Sequence, residues 1–442
     1  MNVSSSILDS SNIGQELHQL MSRLFPLCRS LTGDGLRQSL SVLQEFVPIR
    51  ICAVPSGTSC FDWVVPDEWN IRDAFIEDSN DNKVIDFKNS NLHVVNYSIP
   101  VDCKMTLAEL KEHLHFLEDK PEAIPYVTSY YKRSWGFCLT HKQYESLEDG
   151  NYRVRIDSSL TPGEMNYGEL IIPGKESTEV LLATNICHPS MANNELSGPV
   201  ILAALAKWLL DNGNNRLTYR LVWLPETIGA ISYLAQHSDA QKKNTMAGYQ
   251  VVCVGGPDDF TYLKSRKGDT VADQMALHIL DHSEAPYRVL DYTHRASDER
   301  QWCSPGIDLP VGSLMRSKYH DYPEYHTSLD DLSFVKPVHL EASYNMYAEI
   351  LTGLEQNVIY KSALAGCEPQ LGKRGLYPTT GGSNHECADV NDLLAILAYA
   401  DGGHTLIDIA KKHDRPIWEF YKAAKVLVDG GLIEHQRPTS EY

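Results

Sequence analysis

The residues best suited to chemistry begin with His188. It stands in Cys187-His188-Pro189-Ser190-Met191-Ala192-Asn193-Asn194-Glu195-Leu196-Ser197-Gly198, between a run of strand-forming residues and an apolar helix. A histidine at a strand end, followed by a carboxylate at a helix head, can hold one metal ion between two rigid elements. Zinc takes imidazole and carboxylate ligands in tetrahedral geometry, and a catalytic site leaves one position for water. Asn194 and Glu195 both fall at that helix head, and the small Ser197 and Gly198 would let it approach an ion closely. A lone histidine before proline serves equally well as a turn residue, so the reading rests on the spacing.

Glu226 ends another apolar strand, Leu221-Val222-Trp223-Leu224-Pro225. An acid there is costly unless it caps a helix, forms an ion pair or takes part in catalysis. A general base beside a metal would use such a carboxylate to take a proton from water and pass it to a leaving amine. A second imidazole comes from His326, in Tyr325-His326-Thr327-Ser328 ahead of the acidic Leu329-Asp330-Asp331; His320 competes with it, and a surface loop role is the alternative. Asp298 reads as a cap or a site acid in a charge-dense turn. Arg300 and Arg316 are candidates to anchor a substrate carboxylate or an oxyanion. Asn194 and Tyr325 complete the set of candidate substrate contacts.

The elements that must position these groups follow from periodicity. Ile13 to Phe46 carries apolar residues at helical spacing, interrupted at Gly33-Asp34-Gly35, which predicts two helices. From about Ile49 to Leu160 short β-rich pieces separated by Pro, Gly, Asn and Asp predict a small, mostly-β module. From Asn166 to about Gln356 strand-like and helix-like runs alternate, which implies a parallel or mixed sheet covered by helices. Ligand sites in such sheets lie at the carboxyl ends of strands, where His188 and Glu226 both fall. A linker including 376–382 precedes three short helices and a strand that resemble a winged helix-turn-helix. The expected domains are therefore 1–50 with 164–383 (α/β, discontinuous), 51–163 (inserted, mostly β) and 384–442 (winged helix-turn-helix).

Composition narrows the function classes. Hydrophobic content of 43% and charged content of 22% are ordinary for a soluble globular protein. A net charge of −19 disfavours a nucleic-acid backbone or an anionic membrane as the main partner. The last module carries 6 Lys/Arg against 10 Asp/Glu, so a protein partner suits it better than DNA. Ten cysteines scattered from Cys28 to Cys387 without a CxxC predict reduced, buried thiols. No signal-like N-terminus and no apolar run of the ~20 residues needed to cross a bilayer is present. Cytoplasmic residence is the expectation, and a homo-oligomer is left open.

At "CHPSMANNELSGP", "SDERQWCSPGIDLPVGSLMRSKY" and "PEYHTSLDDL" the chain resembles zinc aminopeptidases of the di-zinc leucyl aminopeptidase type. More narrowly, it resembles bacterial aminopeptidase-like proteins with an inserted β domain and a C-terminal winged helix. Members of that group are often associated with polysaccharide or secondary-metabolite biosynthesis. The resemblance runs through nearly the whole chain and implies a phosphorylase/hydrolase-like α/β fold with a central mixed sheet. In the di-zinc pattern a His, a bridging Asp, a Glu, a second Asp and a last His bind two metals, and an acid beside the zinc-binding Glu is the base. His188, His326 and the base Glu226 match. The bridging position falls on Asn194, the zinc-binding Glu on Thr227, and the second Asp on Gly256. A neutral amide bridges two dications poorly, so the resemblance implies one zinc on His188, Glu195 and His326.

The expected protein is thus a cytoplasmic mono-zinc hydrolase of a small peptide or amide, with Glu226 as base and the inserted module roofing the site. Two alternatives stand beside it: a catalytically inactive binding protein that keeps the peptidase fold, and a regulator built around the winged helix.

Overall fold

Every residue of the strand Glu179–Asn185 is buried, as a run such as Val180-Leu181-Leu182-Ala183 requires when both faces of a sheet are covered. This strand lies inside an eight-stranded mixed sheet of the computed structural model, which describes residues 12–377 and 388–436. The strand order is Arg50–Pro55, Glu164–Ile172, Thr218–Leu224, Glu179–Asn185, Thr245–Gln250, Val311–Arg316, Phe260–Leu263 and Tyr287–Leu290. Thr218–Leu224, Glu179–Asn185, Thr245–Gln250 and Val311–Arg316 run parallel, so their carboxyl ends share one edge. Helices Ser197–Asn212 and Ile228–Asn244 follow the second and first of these strands. The expected alternation of strands and helices is present. Phe260–Leu263 is an additional strand that the sequence did not reveal, because it is short and bounded by charged residues.

Alternation decides the inserted sheet. In Asn151–Thr161 the side chains of Tyr152, Val154, Ile156 and Ser158 are buried in turn, the period of a strand with one apolar face. It pairs antiparallel with Glu68–Glu77 and Val101–Thr106, and Lys83–Asp86 completes four strands. Their apolar face closes a core of Ala74, Ile76, Ile85, Leu110, Phe137, Val154 and Ile156.

The chain separates into two compact units. One holds the residues up to Asp273 with Pro286–Asn345; the other holds Gln274–Ala285 with the residues from Met346 onward. In the second unit, Val390–Ala398, Leu406–Lys412 and Tyr421–Asp429 are helices. The strand Ile359–Ser362 lies between Asp401–Thr405 and Ile433–Gln436. Thr405 caps the middle helix through a reciprocal capping box with Asp408. The central strand, Ile359–Ser362, precedes the expected linker; that linker lies outside the described residues from Pro378 onward. Among the described residues, no helix is long and apolar enough to cross a membrane.

The head of Ser197–Asn212 is pressed against the sheet. A Cβ on Gly198 would overlap the Val251 carbonyl oxygen and the Thr184 hydroxyl. Gly198→Ala should therefore cost about 1–3 kcal/mol, read from the urea midpoint of the full chain. Gly150→Ala, with nothing within 4 Å of the added carbon, serves as the neutral control. Equal stability of the two variants would show that the helix head is not pinned.

Candidate functional site

Three parallel strands deliver the central groups. Cys187 and His188 follow Glu179–Asn185, Glu226 follows Thr218–Leu224, and Cys253 follows Thr245–Gln250. The backbone at this edge is forced. Ser190, Thr227, Cys253, Ser317 and His326 all have φ between 47° and 64°, a region that non-glycine residues seldom occupy and that costs about 1–3 kcal/mol each. Between His188 and the helix, Ala192–Leu196 forms a π-helical turn, a form that recurs at functional sites. Asp330 holds that turn open: its carboxylate accepts from the backbone N–H of Asn193 at 2.6 Å, that of Asn194 at 2.9 Å and the Tyr322 hydroxyl at 2.9 Å.

Glu195, 1% exposed, is turned back toward the strand end by this arrangement. Its Oε1 accepts the backbone N–H groups of Cys187 and of His188, the latter at 2.8 Å. Its Oε2 lies 2.9 Å from His188 Nδ1 without an aligned hydrogen bond, and is a buried oxygen without a donor. On the other side of the ring, His188 Nε2 is 3.6 Å from Glu226 Oε2. The His326 ring centroid is 5.4 Å from that of His188. Tyr126 packs against both imidazoles, at 4.8 and 5.3 Å. The structure thus brings His188, Glu195, Glu226 and His326 together from separate parts of the chain.

Electrostatics follow from this packing. Burial alone would lower the proton affinity of His188, but Glu195, and then Glu226, more than offset it, so the net shift is upward. Burial would raise Glu195; the His188 ring and the two backbone amides reverse this and lower it. Burial raises Glu226, and the Glu195 charge adds to the effect. His326 is lowered to about 3 by burial, with the neighbouring His188 contributing. Asp298 is pushed well up by burial and by facing Glu226.

Three neighbouring donors could hold a metal ion, and His326 of the expected ligand set is not among them. Ligand atoms of Cys187, His188 and Glu195 lie within 4.8 Å of one another, and both Glu195 Oε2 and Asn194 Oδ1 are buried without partners. Gly256 and Thr227, the positions that the resemblance pairs with further metal ligands, offer no carboxylate. A Cβ on Gly256 would overlap the Ser317 side chain, and Asn193 bridges the same corner through the Gly255 N–H at 2.8 Å and the Ser317 carbonyl at 3.2 Å. At Thr227, the backbone N–H donates to Asp298 Oδ1 at 2.8 Å and the hydroxyl accepts from Arg300 at 3.2 Å.

The remaining predicted residues are placed as follows. Asn194 donates weakly to Cys253 Sγ at 3.7 Å. Asp298 is buried, with Oδ2 unpartnered, and Arg300 also donates to the Ser297 carbonyl. Arg316 donates to the Gly256 carbonyl and lies over the Phe260 ring. Tyr325 stacks on His326 at 3.9 Å. Three groups had no distinguishing signal in the sequence. Arg29, fully buried, donates to the His188 carbonyl at 3.0 Å and adds positive charge near Glu195. Cys187 read only as a buried thiol. Asp330 read only as part of the acidic segment after His326, ahead of the helix Pro337–Gln356.

Beside these groups opens a cleft of about 210 Å³ lined by Leu31, Trp63, Tyr130, Tyr131, His188 and Glu226. Trp63, Tyr130 and Tyr131 come from the segment between the first two strands of the central sheet and supply its aromatic wall.

A mixed sheet with a His–Glu–Glu–His cluster at the carboxyl edge of its parallel strands defines an aminopeptidase-type α/β fold. The zinc aminopeptidase BSAP of Bacillus subtilis shares that fold, with a TM-score of 0.56 at 10% identity over 77% of this chain and 95% of that one. The chain belongs to a family described as a domain of unknown function (DUF4910), whose profile matches residues 18–357; a winged helix-turn-helix profile matches 358–435. It is 44% identical, over 97% of its length and 98% of the relative's, to a Clostridium acetobutylicum protein named as a polysaccharide biosynthesis protein with an aminopeptidase-like domain. A crystal structure from the same organism, named as a putative peptidase, superposes with a TM-score of 0.91 at 41% identity, covering 98% of this chain and 99% of that one.

The His326 shift has a measurable consequence. Its folded pKa of about 3 lies below the ordinary value of ~6.5, so the unfolded chain binds the extra proton between these limits. This contribution to stability is present above about pH 6.5 and is lost as the pH falls toward 3. Metal-free protein should melt at progressively lower temperature on acidification, and His326→Gln should flatten the slope. Identical slopes for the two proteins would place His326 in solvent.

Proposed function

We propose that this protein is a zinc-dependent hydrolase that cleaves a peptide or amide bond in a small substrate. One zinc ion is held by His188, Glu195 and His326, and Glu226 is the general base and acid. The observation that carries this reading is His188 set between two carboxylates, Glu195 at 2.9 Å and Glu226 at 3.6 Å, with the His326 ring beside it. When bound, a zinc ion supplies Lewis acidity toward a carbonyl and a water.

Glu226 performs the proton transfer. About a quarter of its side chain is exposed, toward the cleft, and burial of the rest raises its proton affinity toward the range suited to taking a proton from water and returning it to a leaving amine. Its position is fixed from behind, because Asp298 grips the next peptide N–H at Thr227. Glu195 presents Oε2 beside His188 and keeps the 187–188 backbone in register through its other oxygen. Asn194 and Tyr325 are the proposed substrate contacts, and Arg300 and Arg316 the proposed anchors for a carboxylate, although none of the four lines the cleft. Leu31, Trp63, Tyr130, Tyr131 and Ile228 make the rest of the cleft apolar, which suits a small substrate with an apolar or sugar-like face. The name of the Clostridium acetobutylicum relative extends the candidate amides to those carried on an amino sugar. The acidic winged helix suits a protein partner.

The test is metal analysis of the purified full chain, followed by a panel of aminoacyl amides, dipeptides and N-acyl amino sugars. Wild type should hold one zinc and cleave at least one member. Glu226→Gln should lose about 10²–10⁴-fold in kcat with unchanged zinc content, and His188→Ala should lose the zinc. A metal-free wild type inert toward the whole panel would instead establish a binding protein that has kept the peptidase fold.

A further inference from the structure

We propose that Cys187 is a thiolate ligand of the metal site, bound beside His188 and Glu195. The inference rests on the zinc reading above and adds to it a donor that the His–Glu–His set lacks.

Three observations carry it. Cys187 Sγ is 3.3 Å from His188 Nδ1, which in turn is 2.9 Å from Glu195 Oε2. Tetrahedral zinc with ordinary bond lengths separates a sulfur and a nitrogen ligand by about 3.5 Å, and a nitrogen and an oxygen ligand by slightly less. Both separations are close to ligand spacing, drawn slightly inward, and one ligand atom from each of the three residues lies within 4.8 Å of the others. The second observation is that Glu195 Oε2 is buried and has no hydrogen-bond donor; a cation between it and the sulfur would satisfy both atoms.

The third concerns what surrounds the sulfur. Cys303, an ordinary buried thiol, sits against two carbonyl oxygens, those of Leu309 at 3.3 Å and Val311 at 3.2 Å, to which its S–H can donate. Cys187 faces an imidazole nitrogen and accepts the Glu226 backbone N–H at 3.2 Å. The Glu226 N–H thus meets the sulfur as an acceptor. The chemistry balances without a redox partner: the S–H proton leaves to solvent as the sulfur–metal bond forms. A sulfur donor also favours zinc over the harder magnesium, calcium and manganese.

The experiment uses the full chain in a Cys367→Ser background, which removes an exposed thiol. The protein is stripped of metal and loaded with one equivalent of cobalt(II) or zinc. Cobalt should produce visible d–d bands together with a sulfur-to-cobalt charge-transfer band in the near ultraviolet. X-ray absorption of the zinc form should show one sulfur neighbour at about 2.3 Å beside nitrogen and oxygen at about 2.0–2.1 Å. Cys187→Ser should lose the charge-transfer band, keep the d–d bands and bind metal at least tenfold more weakly, while Cys253→Ser keeps both bands. A bound metal with only nitrogen and oxygen neighbours in wild type overturns the proposal and leaves the zinc reading standing, a result that holds even where Cys187→Ser does not fold. Persistence of the charge-transfer band in Cys187→Ser overturns it equally. Failure of wild type to bind either metal overturns the zinc reading, and this proposal with it.

Discussion

One buried carboxylate organises this molecule. Glu195 ties two consecutive backbone amides with one oxygen and faces an imidazole with the other. A carboxylate with almost no exposure persists in a protein interior only where hydrogen bonds and opposite charge offset the loss of hydration. The surroundings supply both. Arg29 approaches from the segment after the first helix, His188 from the strand end, and the π-helical turn swings Glu195 back onto the strand that precedes it. Asp330 holds that turn from the far side, and the glycine at the helix head admits it to within contact of the sheet. Each of these features is expensive alone, and together they define one geometry.

The same packing surrounds Gly256 and Thr227, the two positions at which the sequence resemblance looked for further metal ligands. Ser317 occupies the space that a side chain at Gly256 would need, and Asn193 saturates the neighbouring peptide groups. Thr227, in a strained backbone conformation, is clamped by Asp298 and Arg300 instead of offering a carboxylate. What remains is a compact cluster on one side of His188, with Glu226 facing the aromatic cleft on the other.

The C-terminal unit obeys different physics. Its sheet and helices close a small apolar core around Leu393, Ile396, Leu406, Ile409, Phe420 and Leu427. Its surface carries more acids than bases, and the basic residues it has are partly spent on internal ion pairs: Arg415 with Asp392 and Glu419, and Lys425 with Asp429.

Periodicity made the elements legible. Continuous apolar runs marked the buried parallel strands, alternation marked the inserted sheet, and helical spacing marked the helices behind them, because each depends only on neighbours a few residues apart. The same locality placed His188 and Glu226 at strand ends, the position from which an open α/β sheet works. The short strand Phe260–Leu263 escaped because charged residues bound it, and Ile359–Ser362 as the centre of the C-terminal sheet because its pairing partners lie far away in the chain. Arg29, Asp330 and Cys187 carried no local mark of their importance: an arginine after a helix, an acid in a loop and a thiol in a strand are common everywhere. Their significance arises from burial and from partners brought in by the fold. The amino-acid order by itself therefore determined which segments could be strands or helices and which residues stood where chemistry happens. Only the tertiary structure decided which charges share a low-dielectric interior and which atoms are left without a partner, because these depend on distances between residues far apart along the chain.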